Sequence, residues 1–456
     1  MSNGIGTLVI FGASGDLTKR LLLPGLGQLI DSGRASGLTV IGVGQESMST
    51  ASWRARVLKS FAAGGANGRA ARAVAERSEY RKADVTSVDD LTSILKSCTG
   101  SPAIYFALPP RVTEAAVDAL AKVPLPKGTV FGLEKPFGTD LRSATALNRR
   151  LVKLIPEHHI HRIDHFLGKS TVLNLLGLRF ANRLFEPVWN AQNIASVEIV
   201  FDEQLALEGR AGYYDRAGAL VDMIQSHLLL VMALVAMEPP SSLDADDLRG
   251  AMAQVLRATR VFDGNASASS RRARYSAGSV GRRKIPSYAK EPGVDPKNKT
   301  ETLAEITLGI DNWRWAGIPF LLRSGKALSD SRKEIIVTFK DVPHVPKGLT
   351  GKPGPAALRI SLSPDDINLD LNINGQGDPF TLDRVVLNAQ FASGDLGPYG
   401  EVLAGLLSDD PTLSVRADAI EECWRIVEPV LTAWKKDSVK LDEYRAGSTG
   451  PASWRA

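Results

Sequence analysis

Residues 7–17 form the stretch T-L-V-I-F-G-A-S-G-D-L, a short apolar run that ends in a glycine turn. An apolar run bounded by turn residues is typical of a buried strand. Helical patterns follow, for example at Ser49–Ala63 and Val112–Ala121. They alternate with further strand-like runs at Leu38–Val43, Ala103–Ala107, Gly128–Leu133 and His159–Asp164. This alternation predicts a Rossmann-like, doubly wound parallel sheet within residues 1–164.

The glycine turn after the first strand is the expected place for a dinucleotide pyrophosphate. Glycines let the backbone approach the phosphates, and the N–H groups that begin the following helix face their charge. The pattern is G-x-x-G, which is shorter than the usual fingerprint and is also compatible with an ordinary tight turn. Its position after the first strand favours cofactor binding. The residues expected to contact the cofactor here are Gly12, Ala13, Ser14, Gly15, Asp16 and Leu17.

The pattern changes after Lys169. A long run that becomes apolar on nearly all sides predicts one continuous helix over Tyr214–Met237. Strand-like runs without regular helices between them follow at Thr302–Ile310, Glu334–Val342, Leu358–Leu362 and Leu382–Asn388. Such grouping favours a mostly antiparallel sheet. We therefore expect residues 165–456 to form a larger α+β domain for substrate binding and oligomerisation.

Composition indicates a soluble protein with an anionic partner. The 456 residues carry a formal net charge of +5, and the sequence pI is about 9.0. The basic residues are spread out, and the polar segment Gly264–Lys299 predicts a solvated surface loop more than a nucleic-acid patch. An anionic metabolite and cofactor fit the charge at least as well as nucleic acid, and we expect no nucleic-acid partner.

The remaining composition points to the cytoplasm. Two cysteines, Cys98 and Cys423, suggest neither a disulfide framework nor a metal site. The run Leu228–Met237 is about half of the ~20 residues that a membrane span needs. Met1–Phe11 lacks the basic region and cleavage pattern of a signal peptide. We expect a cytoplasmic protein without membrane association.

A chemically rich cluster lies at Arg162–Lys169, R-I-D-H-F-L-G-K, where an acid, an imidazole and an ammonium fall within eight residues. A second imidazole, His227, ends the stretch D-M-I-Q-S-H. We expect Asp164 to orient His227 as a base, and His165 and Lys169 to bind a phosphate. Taken one at a time, each of these residues is more often structural than catalytic.

At this point the sequence resembles the glucose-6-phosphate dehydrogenase family over essentially its whole length. The matching motifs occur in the family's order at Gly12–Arg20, Glu134–Gly138, Arg162–Lys169, Glu208–Asp215, Ile310–Phe320, Arg323–Leu328, Trp424–Pro429 and Tyr444–Pro451. The resemblance implies oxidation of the C1 hydroxyl of glucose 6-phosphate to the lactone, with hydride transfer to a nicotinamide. This is the first oxidative step of the pentose phosphate pathway.

The resemblance also implies residue roles. His227 is matched to the base, whose ordinary pKa range suits proton abstraction near neutral pH. Asp164 is matched to its orienting carboxylate. The remaining matches are to residues that bind the sugar phosphate, with Lys135 also near the cofactor: Lys135, His165, Lys169, Glu203, Asp222 and Lys326. The hydride chemistry needs no metal, and none is expected.

The sequence departs from the family pattern at four places. A lysine near substrate and cofactor is replaced by Leu21, and a tyrosine of the phosphate-binding motif by Phe166. A substrate-side basic residue is replaced by Ser331, beside Arg332. The arginine that usually follows strand two and binds the 2′-phosphate of NADP is replaced by Gln45, which is still expected to contact the cofactor.

The cofactor and the activity therefore each have an alternative. Glu46 follows Gln45, and an acid at this place suits the ribose hydroxyls of NAD. We expect NADP, with NAD or dual use as the alternative and Arg54 as a candidate to reach the pocket. The alternatives to an active glucose-6-phosphate dehydrogenase are a catalytically weak paralogue that binds sugar phosphate or nucleotide and regulates a partner enzyme, and a dehydrogenase of another phosphorylated sugar. Members of the family form dimers or tetramers through the second domain's sheet, so we expect a homodimer or homotetramer.

Overall fold

The computed structural model describes residues 4–35, 37–390 and 394–454. They divide into two compact units, and later segments of the chain join the first one. The first unit contains the described residues of 1–170, 240–253 and 393–421, and the second those of 171–239, 254–392 and 422–456. The functional division into residues 1–164 and 165–456 stays a prediction.

The strands in chain order are β1 (Ile5–Phe11), β2 (Thr39–Gly44), β3 (Glu79–Lys82), β4 (Ser101–Phe106), β5 (Val130–Glu134), β6 (Ile160–Ile163), β7 (Ile194–Asp202), β8 (Thr259–Val261), β9 (Ser270–Ser276), β10 (Gly278–Val280), β11 (Arg283–Ile285), β12 (Leu303–Ile310), β13 (Phe320–Gly325), β14 (Lys333–Phe339), β15 (Thr350–Gly351), β16 (Ala357–Ser361), β17 (Asp366–Asn374), β18 (Thr381–Gln390), β19 (Ser414–Val415) and β20 (Leu441–Arg445).

The α-helices are α1 (Leu23–Asp31), α2 (Thr50–Ala63), α3 (Arg69–Arg77), α4 (Val88–Lys96), α5 (Pro110–Leu120), α6 (Leu141–Leu151), α7 (Ser170–Phe180), α8 (Ala211–Ala219), α9 (Leu229–Ala236), α10 (Ala245–Ala258), α11 (Pro398–Ser408) and α12 (Ala417–Lys435). Two π-helical segments, Thr18–Leu22 and Leu220–Leu228, lead directly into α1 and α9. Short 3₁₀ turns lie at Glu157–His159, Glu186–Val188, Phe262–Gly264, Tyr288–Lys290, Pro296–Asn298, Pro411–Leu413 and Ala452–Trp454.

The first unit is built on a seven-stranded sheet with the order β19-β6-β5-β4-β1-β2-β3. Strands β1 to β6 pair in parallel, and only β19 runs antiparallel, against β6. The order of these six strands reverses between β1 and β4, which is the crevice where doubly wound sheets bind dinucleotides. The prediction of a Rossmann-like sheet is confirmed. The sequence pattern had not indicated β3.

The second unit is built on a mixed, mostly antiparallel sheet with the order β15-β18-β17-β16-β14-β7-β13-β12-β9-β20, and β8 pairs with β12. The pair β7 and β13 in the middle of this order is parallel, so both strands end at the same edge. The predicted α+β class is confirmed. The sequence pattern had indicated β12, β14, β16 and β18.

The predicted loop Gly264–Lys299 is wrong in its first part. Ser270–Ser276 forms β9, which pairs with β12 and β20 inside the large sheet. Arg272 is buried there, and its guanidinium donates to the carbonyl of Val439 at 3.0 and 2.8 Å and to Asp437 at 3.1 Å. An arginine in the sequence suggests exposure, but its fork of donors can be satisfied inside the protein.

The helical stretch 211–236 is long and apolar enough to cross a membrane, with a mean hydropathy of 1.9, but 94% of its most apolar window is buried inside the protein. Burial of this kind is typical of the core helix of a soluble fold. The helix is also not continuous as predicted, because Gly218 has φ +66° and ψ 177° and interrupts it.

Candidate functional site

Four of the predicted site segments begin at the residue that directly follows a parallel strand of the first unit. These residues are Gly12 after β1, Gln45 after β2, Lys135 after β5 and Asp164 after β6. Because parallel strands end at one edge, the four lie along the carboxyl edge of this sheet. The register of β5 and β6 pairs Glu134 with Ile163. Lys135 and Asp164 each directly follow one member of this pair.

The glycine turn after β1 is held by main-chain contacts that only glycine permits at its first position. Gly12 has φ +80°, and a Cβ there would lie 2.2 Å from the carbonyl oxygen of Ala107. The N–H groups of Gly12 and Ala13 both donate to the carbonyl of Val43 at 3.0 Å, and helix begins at Asp16. The turn therefore requires glycine at position 12, and it leads into a helix N-terminus, the element at which doubly wound sheets hold a phosphate.

The end of β2 is where the 2′ position of a bound dinucleotide would lie. The hydroxyl of Tyr80 donates to the carbonyl of Glu46 at 2.9 Å. Burial and the Glu46 charge raise the pKa of Tyr80, whereas Arg56 lowers it, so both charges act near this hydroxyl. Gln45 hydrogen-bonds Asp84, whose pKa is lowered mainly by its bonds with Thr86.

The arginine that reaches this corner is Arg56 rather than Arg54. Arg56 Nη1 donates to the carbonyl of Ser14 in the glycine turn at 3.0 Å. Arg54 Nε instead donates to the carbonyl of Ser78 at 3.0 Å. Side chains two positions apart on an α-helix point about 200° away from each other. This spacing is the sequence signal that could have shown that Arg54 and Arg56 face different directions.

A carboxyl and two tyrosines form a compact cluster beside Lys135. The Tyr105 hydroxyl donates to Glu134 Oε1 at 2.5 Å, and Tyr399 from α11 also hydrogen-bonds this carboxyl. Burial raises the pKa of Glu134 to about 7, opposed by these tyrosine bonds and assisted by the charge of Asp164. Sequence reasoning missed this cluster, because Tyr399 comes from a segment far along the chain.

The segment that contains Asp164 is held by contacts of its side chains, one of them with α11. Asp164 is buried, and its Oδ1 accepts from the N–H of Phe166 at 3.0 Å. The His165 ring stacks on Tyr399 with centroids 5.4 Å apart. Lys169 Nζ lies 5.1 Å from the centroid of the Phe166 ring. Phe166 therefore keeps an aromatic contact with the ammonium that the resemblance assigns to phosphate binding.

In the second unit, Glu203 and Lys326 directly follow the parallel pair β7 and β13, whose register pairs Asp202 with Gly325. Lys326 Nζ forms an ion pair with Glu203 Oε2 at 2.7 Å. The same ammonium lies 5.3 Å from the centroid of the Tyr214 ring. These contacts bring two predicted substrate residues together.

Asp222 and His227 lie on one helix of this unit, within the segment Leu220–Leu228, and both are buried. Tyr213 hydrogen-bonds Asp222, and its pKa is raised by burial first and by this carboxylate second. A buried acid in the first helical turn and a buried imidazole five residues later are suited to binding and proton transfer at a polar ligand.

Two of the departures from the family pattern lie on the surface. The side chain of Leu21 is 45% exposed, next to Arg20, which pairs with Asp16 at 3.2 Å. Ser331 is exposed, and its neighbour Arg332 is engaged by Glu334 and by Glu198. Arg332 is thus held by carboxylates of its own sheet.

Comparison with known proteins gives matches over nearly the whole chain. The model described as "Glucose-6-phosphate dehydrogenase, NAD binding domain" matches residues 9–174, and the one described as "Glucose-6-phosphate dehydrogenase, C-terminal domain" matches residues 176–456. The glucose-6-phosphate 1-dehydrogenase of Zymomonas mobilis is 35% identical over 99% of this chain and 97% of its own. That of Gluconobacter oxydans is 38% identical over 97% and 94%.

Solved structures agree with the sequence comparison. A glucose-6-phosphate dehydrogenase in complex with its substrate glucose-6-phosphate has a TM-score of 0.89 at 28% identity, covering 99% of this chain and 97% of that one. The glucose-6-phosphate 1-dehydrogenase from Mycobacterium avium has a TM-score of 0.86 at 34% identity, covering 99% and 96%.

The raised pKa of Glu134 has a measurable consequence for stability. A carboxyl whose folded pKa is about 7, above its usual 4.5, stabilises the fold fully below pH 4.5 and loses that contribution as the pH rises to 7. Glu134→Gln imitates the protonated form. We expect the free energy of unfolding of the wild type, relative to this variant, to fall by about 2 kcal/mol between pH 5 and pH 8. Urea unfolding at several pH values measures it, and a difference independent of pH contradicts the assignment.

Proposed function

This chain belongs to the glucose-6-phosphate dehydrogenase family, and we propose that it oxidises glucose 6-phosphate with NADP, using His227 as the base. The activity, conversion of glucose 6-phosphate to 6-phosphoglucono-1,5-lactone with a nicotinamide dinucleotide, carries out the first oxidative step of the pentose phosphate pathway. The observation that carries it is the match of both family models, which together cover residues 9–174 and 176–456.

The chemistry divides into a hydride and a proton. The bound nicotinamide supplies the hydride acceptor. His227 takes the proton of the C1 hydroxyl, and Asp164 keeps the imidazole in the tautomer that can accept it. The burial of His227 supports this role, since a dry site holds the imidazole in one orientation. Asp222 accepts a hydrogen bond from a sugar hydroxyl.

The substrate's phosphate is a dianion near neutral pH and requires positive donors. We assign His165 and Lys169 to it. The stacking of His165 on Tyr399 and the contact of Lys169 with Phe166 support the assignment, because both side chains are held in place before a ligand arrives. A prearranged donor loses less side-chain entropy on binding.

The remaining polar groups surround the sugar. The pair of Glu203 and Lys326 presents an acceptor and a donor next to each other, which suits adjacent hydroxyl groups. Lys135 lies between sugar and cofactor, at the carboxyl edge of the first sheet.

We assign NADP as the cofactor because of Arg56. This guanidinium donates to Ser14 in the turn, and it acts on Tyr80 together with Glu46, so a positive charge stands at the end of β2 despite the missing family arginine. Glu46 opposes a phosphate, and NAD is therefore the competing cofactor. Gln45 and the turn Gly12–Leu17 complete the proposed cofactor contacts.

We also propose a homo-oligomer in the cytoplasm. In the β17–β18 hairpin, paired residues share a face. Three successive pairs on one face are apolar, and their residues are half-buried or exposed in the single chain: Ile367, Leu369, Leu371, Val385, Leu387 and Ala389. A second copy of this chain would cover this stripe and remove it from water.

The base assignment is tested with His227→Asn. We expect kcat to fall by about 10³-fold, because general-base catalysis contributes on this order, while the affinity for glucose 6-phosphate changes little. Steady-state reduction of NADP at saturating substrate measures kcat, and calorimetry with glucose 6-phosphate measures affinity. Near-normal turnover in a folded sample rules out His227 as the base.

The cofactor assignment is tested with Arg56→Ala, with Arg54→Ala on the same helix as the matched control. We expect KM for NADP to rise ~10-fold or more, as for loss of a hydrogen bond to a charged group, with KM for NAD unchanged. The control should change neither constant. An equal rise for both cofactors would show that the variant disturbs the turn, and no rise would remove Arg56 from the 2′-phosphate.

The oligomer is tested with Leu387→Glu, and Asn388→Glu on the polar face is the control with the same added charge. We expect the first variant to dissociate to monomers, because a carboxylate would be buried unpaired in the interface, and the second to keep the wild-type mass. Light scattering after size-exclusion chromatography measures the mass. A monomeric wild type would contradict the proposal.

A further inference from the structure

The helix that contains Asp222 and His227 starts abruptly. Gly218 has φ +66° and ψ 177°, so the preceding helix α8 does not continue through it, and a new helical run begins with Ala219 and Leu220. The first N–H groups of a helix lack intrahelical acceptors. The residue at the capping position, Ala219, makes no side-chain capping bond because its methyl group cannot accept one.

The missing cap comes from a distant part of the same unit. Glu301, two residues before β12, accepts from the N–H of Leu220 through Oε1 at 3.0 Å. Its main-chain carbonyl accepts from the N–H of Ala219 at 3.3 Å. Glu301 is only 7% exposed, and a buried carboxylate at a helix N-terminus is stabilised by the helix dipole as well as by these bonds.

Gly218 makes this arrangement sterically possible. A Cβ at this position would lie 2.2 Å from Glu301 Oε1, and the positive φ would be strained for any other residue. The break in the helix and the incoming carboxylate therefore depend on the same glycine.

The helix start itself is buried. Ala219 and Leu220 are 1% and 0% exposed, and the cavity of about 570 Å³ lined by Gly218, Thr300 and Glu301 is not lined by either of them. Because a buried N–H group without an acceptor is costly, the bonds to Glu301 satisfy donors that water cannot reach.

We propose that Glu301 is a positioning residue for the reaction, which caps the Leu220–Ala236 helix from outside and thereby sets the place of Asp222 and His227. The inference rests on the proposed function, since it assigns roles to these two side chains, but Glu301 itself does not touch the substrate. Asp222 lies in the first turn beyond the cap and His227 in the second, so a shift of the helix start moves both.

The test compares Glu301→Ala and Glu301→Gln with Glu305→Gln, a control on β12 whose carboxylate pairs with Arg271 and Arg323. We expect Glu301→Ala to lower kcat by about 10-fold and to raise KM for glucose 6-phosphate, because misplacement of catalytic groups by a fraction of an ångström costs on this order. KM for NADP should stay unchanged. Glu301→Gln keeps an acceptor without the charge and should lower kcat about threefold. The control should equal the wild type.

Hydrogen exchange supplies a readout that is independent of activity. Loss of a helix cap should speed exchange of the amides at Leu220–His227 about fivefold in Glu301→Ala, with the β7 amides unchanged. A wild type that fails to oxidise glucose 6-phosphate would reject the proposed function. In that case the exchange measurement alone would test whether Glu301 caps the helix.

Kinetic constants equal to those of the wild type in a folded Glu301→Ala would overturn the positioning role. If that variant does not fold, Glu301→Gln decides: a wild-type kcat overturns the proposal, and a reduced kcat with unchanged KM for NADP supports it.

Discussion

Parallel pairing of neighbouring strands is the constraint on which the rest of this molecule depends. Two parallel strands end at the same edge, so the residues that follow them are brought together whatever their distance in sequence. In the first unit this places Gly12, Gln45, Lys135 and Asp164 along one edge. In the second unit the parallel pair in the middle of the sheet, β7 and β13, places Glu203 beside Lys326 within a sheet that is mostly antiparallel.

Buried carboxyls impose a second constraint in each unit. Glu134 and Glu301 both have pKa values raised to about 7 by burial, so each is held at a cost to stability near neutral pH. Each cost is partly offset by specific donors: tyrosine hydroxyls for Glu134, and main-chain N–H groups including that of Leu220 for Glu301. Buried carboxyls with raised pKa values are typical of functional sites, where a fixed geometry is required at some cost in stability.

The sequence predicted those parts of the fold that follow from local periodicity and from residues at strand ends. The first sheet, the α+β class and the site segments after β1, β5 and β6 all belong to this kind. Contacts between residues far apart in the sequence could not be predicted in this way. Tyr399 reaches Glu134 only because α11 returns to the first unit, and Arg272 is buried only because β9 lies inside a sheet. The helix break at Gly218 was missed because the residue that caps the new helix, Glu301, lies 83 positions further along the chain.

The four departures from the family pattern affect groups of one kind. Leu21, Phe166, Ser331 and Gln45 each remove a donor or a positive charge that would contact an anionic ligand, and none of them replaces the proposed base or its orienting acid. At two of these places the structure has a cationic side chain nearby. Lys169 Nζ lies 5.1 Å from the centroid of the Phe166 ring, and Arg56 donates to the carbonyl of Ser14 in the glycine turn. Contacts to a phosphate remote from the reacting carbon act equally on the ground state and the transition state, so their loss raises KM and leaves kcat nearly unchanged. This chain lacks some of these contacts but keeps His227 and Asp164. It therefore fits an enzyme that works at higher substrate concentration better than it fits a paralogue that binds the ligand without catalysis.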